Sequence, residues 1–123
     1  MCRAEFENIS AYEALAINRS RAYSLFLKGN DLLNLSKYDE AIKFFDEAIA
    51  ADPASVTAWN AKGAALGMAG RYEEALVCFE KAIEIDAESD LAWENKGEVL
   101  RAVGRIAESN SAMVKARQLA NRW

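Results

Sequence analysis

The sequence repeats itself at a spacing of 34 residues. At that step Trp59 returns as Trp93, Gly63 as Gly97, Leu66 as Leu100, Gly70 as Gly104 and Ala82 as Ala116. Counting backwards, Gly63 leads to Gly29, and Tyr72, Ala75, Phe79 and Ala82 lead to Tyr38, Ala41, Phe45 and Ala48. Three units follow without insertion: residues 22–55, 56–89 and 90–123. A period of this length marks a stack of like supersecondary units, each covering the apolar face of its neighbour.

Within each unit the apolar residues recur as on two helices separated by a short break. The first unit reads as helices over 22–35 and 38–51, broken at Ser36. "DP" ends the second helix, because a residue before proline avoids helical geometry. The second unit reads as helices over 56–69 and 72–86 with Gly70 at the turn. The third reads as helices over 90–103 and 106–120 with Gly104 at the turn. Glycine there can take the left-handed conformation that closes a helix.

The glycines within the helices need another reason, since each costs up to about 1 kcal/mol relative to alanine. Gly29, Gly63 and Gly97 fall midway along the first helices, and Ala41 and Ala75 fall early in the second. Small residues at these places let paired helices approach closely. Leu25, Trp59 and Trp93 stand four residues before the glycines, on the same helix face, and are expected to fill the space beside them.

Residues 1–21 hold no complete unit. "EALAINR" at 13–19 sits in register with "KAIEIDA" at 81–87, and Phe6, Ile9, Tyr12, Leu15 and Ala16 are helically spaced. The pattern predicts a capping helix over 1–20, a decayed second helix stacked on the first unit; a frayed tail is the alternative. With it the all-α chain would have about seven helices.

Composition narrows the chemistry. The 123 residues are 52% apolar and 28% charged, which is a folding composition and suits one small domain. A net charge of −4 argues against a dedicated nucleic-acid binder. No stretch approaches the roughly 20 apolar residues of a membrane span, and "MCRAEFENIS" lacks the apolar core of a signal peptide. A cytoplasmic protein is therefore expected. Cys2 and Cys78 form no metal-binding or redox pair. The absence of histidine removes the commonest general base and the commonest metal ligand, so no catalytic residue, metal or cofactor is assigned. Asp39, Glu40, Glu73 and Glu74 suit the positive ends of the second helices and need no metal to explain them. Lys28, Lys62 and Lys96 each precede a glycine. Their stems are expected to lie along the helix with the ammonium in water, rather than forming an anion site.

These residues together resemble the tetratricopeptide repeat family. The middle unit fits its pattern best, with Trp59, Gly63, Leu66, Gly70, Tyr72, Ala75, Phe79 and Ala82. The first unit has Leu25 for tryptophan but keeps Tyr38, Ala41, Phe45, Ala48 and Pro53. The third drifts, with Ile106, Ser109 and Met113 for tyrosine, alanine and phenylalanine. The resemblance implies a right-handed superhelical solenoid of antiparallel helix pairs over 22–123, after an N-terminal capping helix over 1–21. The first helix of each pair would line the concave side.

The family's groove positions fall on Tyr23, Phe26, Asn30, Leu33 and Asn34, then on Thr57, Asn60, Ala64, Gly67 and Met68. In the third unit they are Leu91, Glu94, Glu98, Arg101 and Ala102. Gly67 is either a shallow groove floor or a tolerated surface glycine. Glu94 and Glu98 either favour a basic segment or form a solvated face. One branch of the family clamps the C-terminal carboxylates of heat-shock chaperones with lysine, asparagine and arginine. The matching positions here are Phe26, Asn30, Ala61, Leu91 and Asn95; only Asn30 agrees, which rejects the clamp.

The expected function is non-enzymatic protein interaction, with a peptide or helix of a partner held in the concave groove. The alternative is a structural homodimer joined through the exposed solenoid ends, where Met113, Val114, Leu119 and Trp123 offer apolar surface.

Overall fold

A computed structural model describes residues 10–122. It contains six helices and no strand among those residues: α1 (Ala11–Asn34), α2 (Tyr38–Ala51), α3 (Val56–Met68), α4 (Tyr72–Ile85), α5 (Asp90–Ala102) and α6 (Ile106–Ala120). They pair as α1/α2, α3/α4 and α5/α6, and successive pairs stack into a right-handed solenoid. The first helices α1, α3 and α5 also touch one another, whereas α2, α4 and α6 do not. The first helices therefore form the inner, concave layer.

The turns within pairs use the left-handed conformation at Gly70 (φ 81°) and Gly104 (φ 84°). Ser36 takes the same place in the first pair at φ 60°, a conformation unfavourable to a residue with a Cβ. The links between pairs share a different device. The Asp52 carboxylate accepts from the Ala54 N–H at 3.3 Å, and Asp86 does the same for Glu88 at 3.0 Å. Ser55 and Ser89 then cap α3 and α5 by accepting from the N–H groups of Ala58 and Ala92. Pro53 is thus dispensable at the break, and Ala87 stands in its place without moving the helix end.

The same logic corrects the N-terminal expectation. A separate helix stacked on the first unit is not what the described residues form: α1 runs unbroken from Ala11 to Asn34. One period before Asp52, Pro53 and Ser55 stand Asn18, Arg19 and Arg21, so both the proline stop and the serine cap are missing. Ser10 caps the helix instead, accepting from the Glu13 N–H at 3.1 Å. Residues 11–21 overhang as an exposed extension of the first helix. The part of that expectation on residues 1–9, with Phe6 and Ile9, lies outside the described residues.

Packing explains the small residues. Above Gly29 and Gly63 lie the rings of Phe45 and Phe79 from the paired helix, and above Gly97 lies the Met113 side chain. It is these side chains, not Leu25 or the tryptophans, that occupy the space at the glycines. Trp59 and Trp93 pack against the core while their indole N–H groups donate to the carbonyls of Pro53 and Ala87, each at 3.0 Å. The tryptophans thereby fix each inter-pair link to the helix it precedes. The core is continuous from Ala41 and Phe45 through Leu66, Leu76 and Phe79 to Leu100 and Ala112.

Ser109 occupies the place of Ala41 and Ala75 and is fully buried. Its hydroxyl donates to the Gly97 carbonyl at 2.7 Å, joining α6 to α5. We expect Ser109→Ala to lower stability by about 0.5–1.5 kcal/mol, the usual net worth of such a bond. Urea denaturation measures it, and a stabilised variant would mean that the hydroxyl is merely tolerated. Cys78 is likewise a core residue: burial pushes its thiol up to about 11, so it stays protonated at neutral pH.

Candidate functional site

The groove is built by the inner layer. Phe26, Asn30 and Leu33 of α1 face Val56, Thr57, Asn60, Ala61 and Ala64 of α3. Ser89, Leu91 and Asn95 close the far side, around a cavity of about 460 Å³. The helical period brings these side chains together, since residues three and four apart share a face. A second hollow of about 300 Å³ lies between α3 and α5, lined among others by Ala64, Gly67, Met68, Asn95, Glu98 and Val99. Ala64 and Asn95 border both, so the two hollows form one trough across the three first helices.

The expected groove residues separate into three groups. Phe26, Asn30, Leu33, Asn60 and Ala64 line the first hollow. Ala64, Gly67, Met68 and Glu98 line the second. Glu94 and Arg101 instead border a cleft of about 500 Å³ at the C-terminal end of the solenoid, with Asn110, Met113, Val114 and Arg117. Glu94 is the counterpart of Phe26 and Asn60, a position that faces the following helix pair. No further pair is packed on α5 and α6 among the described residues, so this position looks into the end cleft. Tyr23 stands exposed beside the groove, its ring 6.2 Å from that of Phe26.

Val56, Ala61, Ser89 and Asn95 line the groove but are not among the expected groove residues; Ala61 and Asn95 enter the sequence reading only as positions of the rejected carboxylate clamp. Asn95 was available as the residue four after Leu91, one turn along the same face.

The polar groups of the first hollow are amides and hydroxyls, and no ionisable side chain lines it. Asn60 is only 6% exposed, and its Oδ1 has no hydrogen-bond partner among the described residues. Two of the three lysines that precede the helix glycines, Lys62 and Lys96, are already engaged. Lys62 Nζ lies 2.6 Å from Asp46 Oδ1 and 6.0 Å from the Trp59 ring centre. Lys96 Nζ lies 3.9 Å from Glu80 Oε1 and 5.4 Å from that of Trp93. They tie each first helix to the second helix of the preceding pair, which is more than a stem along the helix and a head in water.

Two acids at the starts of the second helices, Glu74 and Glu108, are engaged by arginines. Arg71 and Arg105 grip Glu74 and Glu108 with two hydrogen bonds each, the shorter 2.6 Å. The Arg105 hydrogen bond holds the Glu108 carboxyl below the ordinary glutamate range. Among the described residues no group of acidic or cysteine side chains is arranged to hold a metal ion, and no helix is long and apolar enough to cross a membrane.

No curated protein matches the sequence. Among solved structures, the chain is similar to the second tetratricopeptide domain of Spaghetti (RPAP3) bound to the HSP90 peptide SRMEEVD. Identity is 26% over 87% of this chain and 98% of that one, with a TM-score of 0.82. It is similar to the TPR2B domain of yeast Sti1 in its pHsp70 complex, at 26% identity over 81% and 80% of the two chains, with a TM-score of 0.79. The type III secretion translocator chaperone SycD of Yersinia enterocolitica shares the fold, at 23% identity over 84% and 79%, with a TM-score of 0.80. The family described as Tetratricopeptide repeat matches residues 26–90, more than half of the sequence. The 34-residue period, the three stacked helix pairs and this match have one explanation: the chain belongs to the tetratricopeptide repeat family.

Proposed function

We infer that this protein is a non-enzymatic interaction module that holds an extended peptide or a helix of a partner protein along its concave face. The observation that carries this reading is the continuous trough across α1, α3 and α5, with apolar walls and amides in reach of a peptide backbone. The similar domains of Spaghetti and Sti1 are described in complexes with an HSP90 peptide and with pHsp70, which supports a peptide-sized occupant.

The test uses residues that contribute to the groove more than to the core. Phe26 packs against the core and Asn60 is buried, so changing them would also disturb folding. Leu91 is 53% exposed and Asn30 is half-buried. The double variant Leu91→Ser, Asn30→Ala should unfold close to the wild type, as surface changes usually do. It should hold the partners that the wild type captures from native extract about tenfold more weakly, a loss of about 1.4 kcal/mol. Undiminished capture by the double variant rejects the groove.

Self-association through the solenoid ends is the second reading. It is favoured by the α1 overhang, where Tyr12 is 83% exposed and Leu15 and Ile17 are also exposed, and by Val114 at the other end. Light scattering that returns a strict monomer at every concentration removes it.

A further inference from the structure

We propose that the trough selects an uncharged, apolar segment from within a partner chain and rejects one that carries a carboxylate. This rests on the groove reading above and adds the chemistry of the occupant. Three observations carry it. The first hollow, with Phe26, Leu33 and Leu91 among its walls, offers no ionisable side chain. Lys62 and Lys96 cannot supply a counter-charge, because they are held against Asp46 and Glu80 and over the tryptophan rings. The adjoining hollow contains Glu98, whose negative charge opposes a carboxylate further. A carboxylate entering such a site gives up hydration and finds amide and hydroxyl donors but no opposite charge, which is unfavourable.

Asn60 indicates what the segment supplies instead. A buried amide oxygen without a partner is a group that natural proteins seldom leave so. It lies on the wall of the hollow with its oxygen unpaired among the described residues. Rotation of the amide about its bond to Cβ presents either the oxygen or the nitrogen to the trough. It can then accept from a peptide N–H or donate to a peptide C=O. Asn30 and Asn95 flank it from α1 and α5, so each first helix contributes one amide. The backbone of the segment meets these amides while an aliphatic or aromatic side chain enters between Phe26, Leu33 and Leu91.

The experiment uses the full chain against two synthetic peptide arrays of equal length. One is acetylated and amidated, with variable positions restricted to Ser, Thr, Asn, Leu, Ile, Val and Phe. The other has a free C-terminal carboxylate and two of those positions fixed as Asp or Glu. The wild type should bind members of the first array alone, with affinity changing less than about threefold between low and high salt, since screening acts on charge pairs. Asn60→Leu, and the half-buried Asn95→Ala as the variant that spares the core, should each weaken the selected peptides about tenfold, with urea denaturation showing which of them keep the wild-type stability. Leu91→Lys, at an exposed position that does not threaten the fold, should move selection toward the acidic array. Selection of acidic peptides by the wild type overturns this inference and leaves the groove reading standing. Selection from neither array overturns this inference, while the groove reading is decided by the capture experiment above. Undiminished binding by folded Asn60→Leu and Asn95→Ala removes the amides from the argument, and with them the role of the backbone contacts.

Discussion

Replacing Phe79 by alanine should lower the unfolding free energy by about 3–5 kcal/mol, the range for truncating a buried aromatic. Phe79 is 1% exposed and sits in the middle pair, at the centre of the core that joins all three. Its ring fills the space above Gly63, so no larger side chain on the facing helix can relax into the cavity left behind. Domains of this size are stable by only about 5–15 kcal/mol, which makes the loss a large fraction of the total. The middle pair also couples its neighbours, because each unit of a solenoid touches only the next. The transition of the variant should therefore broaden as well as move to lower urea. Circular dichroism and Trp fluorescence followed through urea denaturation measure both effects. A loss below about 1 kcal/mol, outside the range for a buried aromatic, would mean that this ring does not anchor the core.

Gly63→Ala and Gly67→Ala should have opposite signs. Both replacements favour the helix by up to about 1 kcal/mol. At Gly63 the new Cβ would stand 2.5 Å from Phe79 Cε1 and 2.8 Å from its Cζ, a clash with a buried, rigid ring. Overpacking of this kind costs about 1–3 kcal/mol and outweighs the helical gain. At Gly67 the nearest atom, Val99 Cγ2, would be at 3.8 Å, an ordinary contact, so about 0.5–1 kcal/mol of stabilisation remains. Gly97→Ala falls between them, because the neighbour at 3.0 Å is the flexible Met113 side chain. Denaturant midpoints of the three variants give the order directly. Phe79→Leu in the Gly63→Ala background tests the cause, since removing the ring should recover part of the loss. Equal effects at Gly63 and Gly67 would refute the packing account.

The opposite signs show what could be read from the chain and what could not. The spacing placed Gly63, Gly97 and Gly29 at equivalent points and set Gly67 apart, because Leu33 and Arg101 take its place in the other units. It did not say which side chain meets each glycine, since Phe45, Phe79 and Met113 arrive from the paired helix. Similarly, Phe26, Asn60 and Glu94 are equivalent along the sequence, yet Glu94 looks into the end cleft. Periodicity identifies which face of a helix a residue occupies. It does not identify what lies opposite that face at the end of a stack.

The N-terminal segment went astray for a local reason that was legible. Apolar spacing at 12–16 is compatible with a separate helix and with an extension of the next one. The missing proline and serine at Arg19 and Arg21 decide for the extension.

The sequence by itself determined the all-α class and five of the six helices of the described residues to within a residue or so, because a period and its turn residues are properties of the chain alone. The tertiary structure decided the meeting of Phe79 with Gly63, the engagement of Lys62 and Lys96, and the uncharged first hollow around Asn60. Each of these depends on side chains from different helices arriving at one point, and that convergence is set by packing geometry.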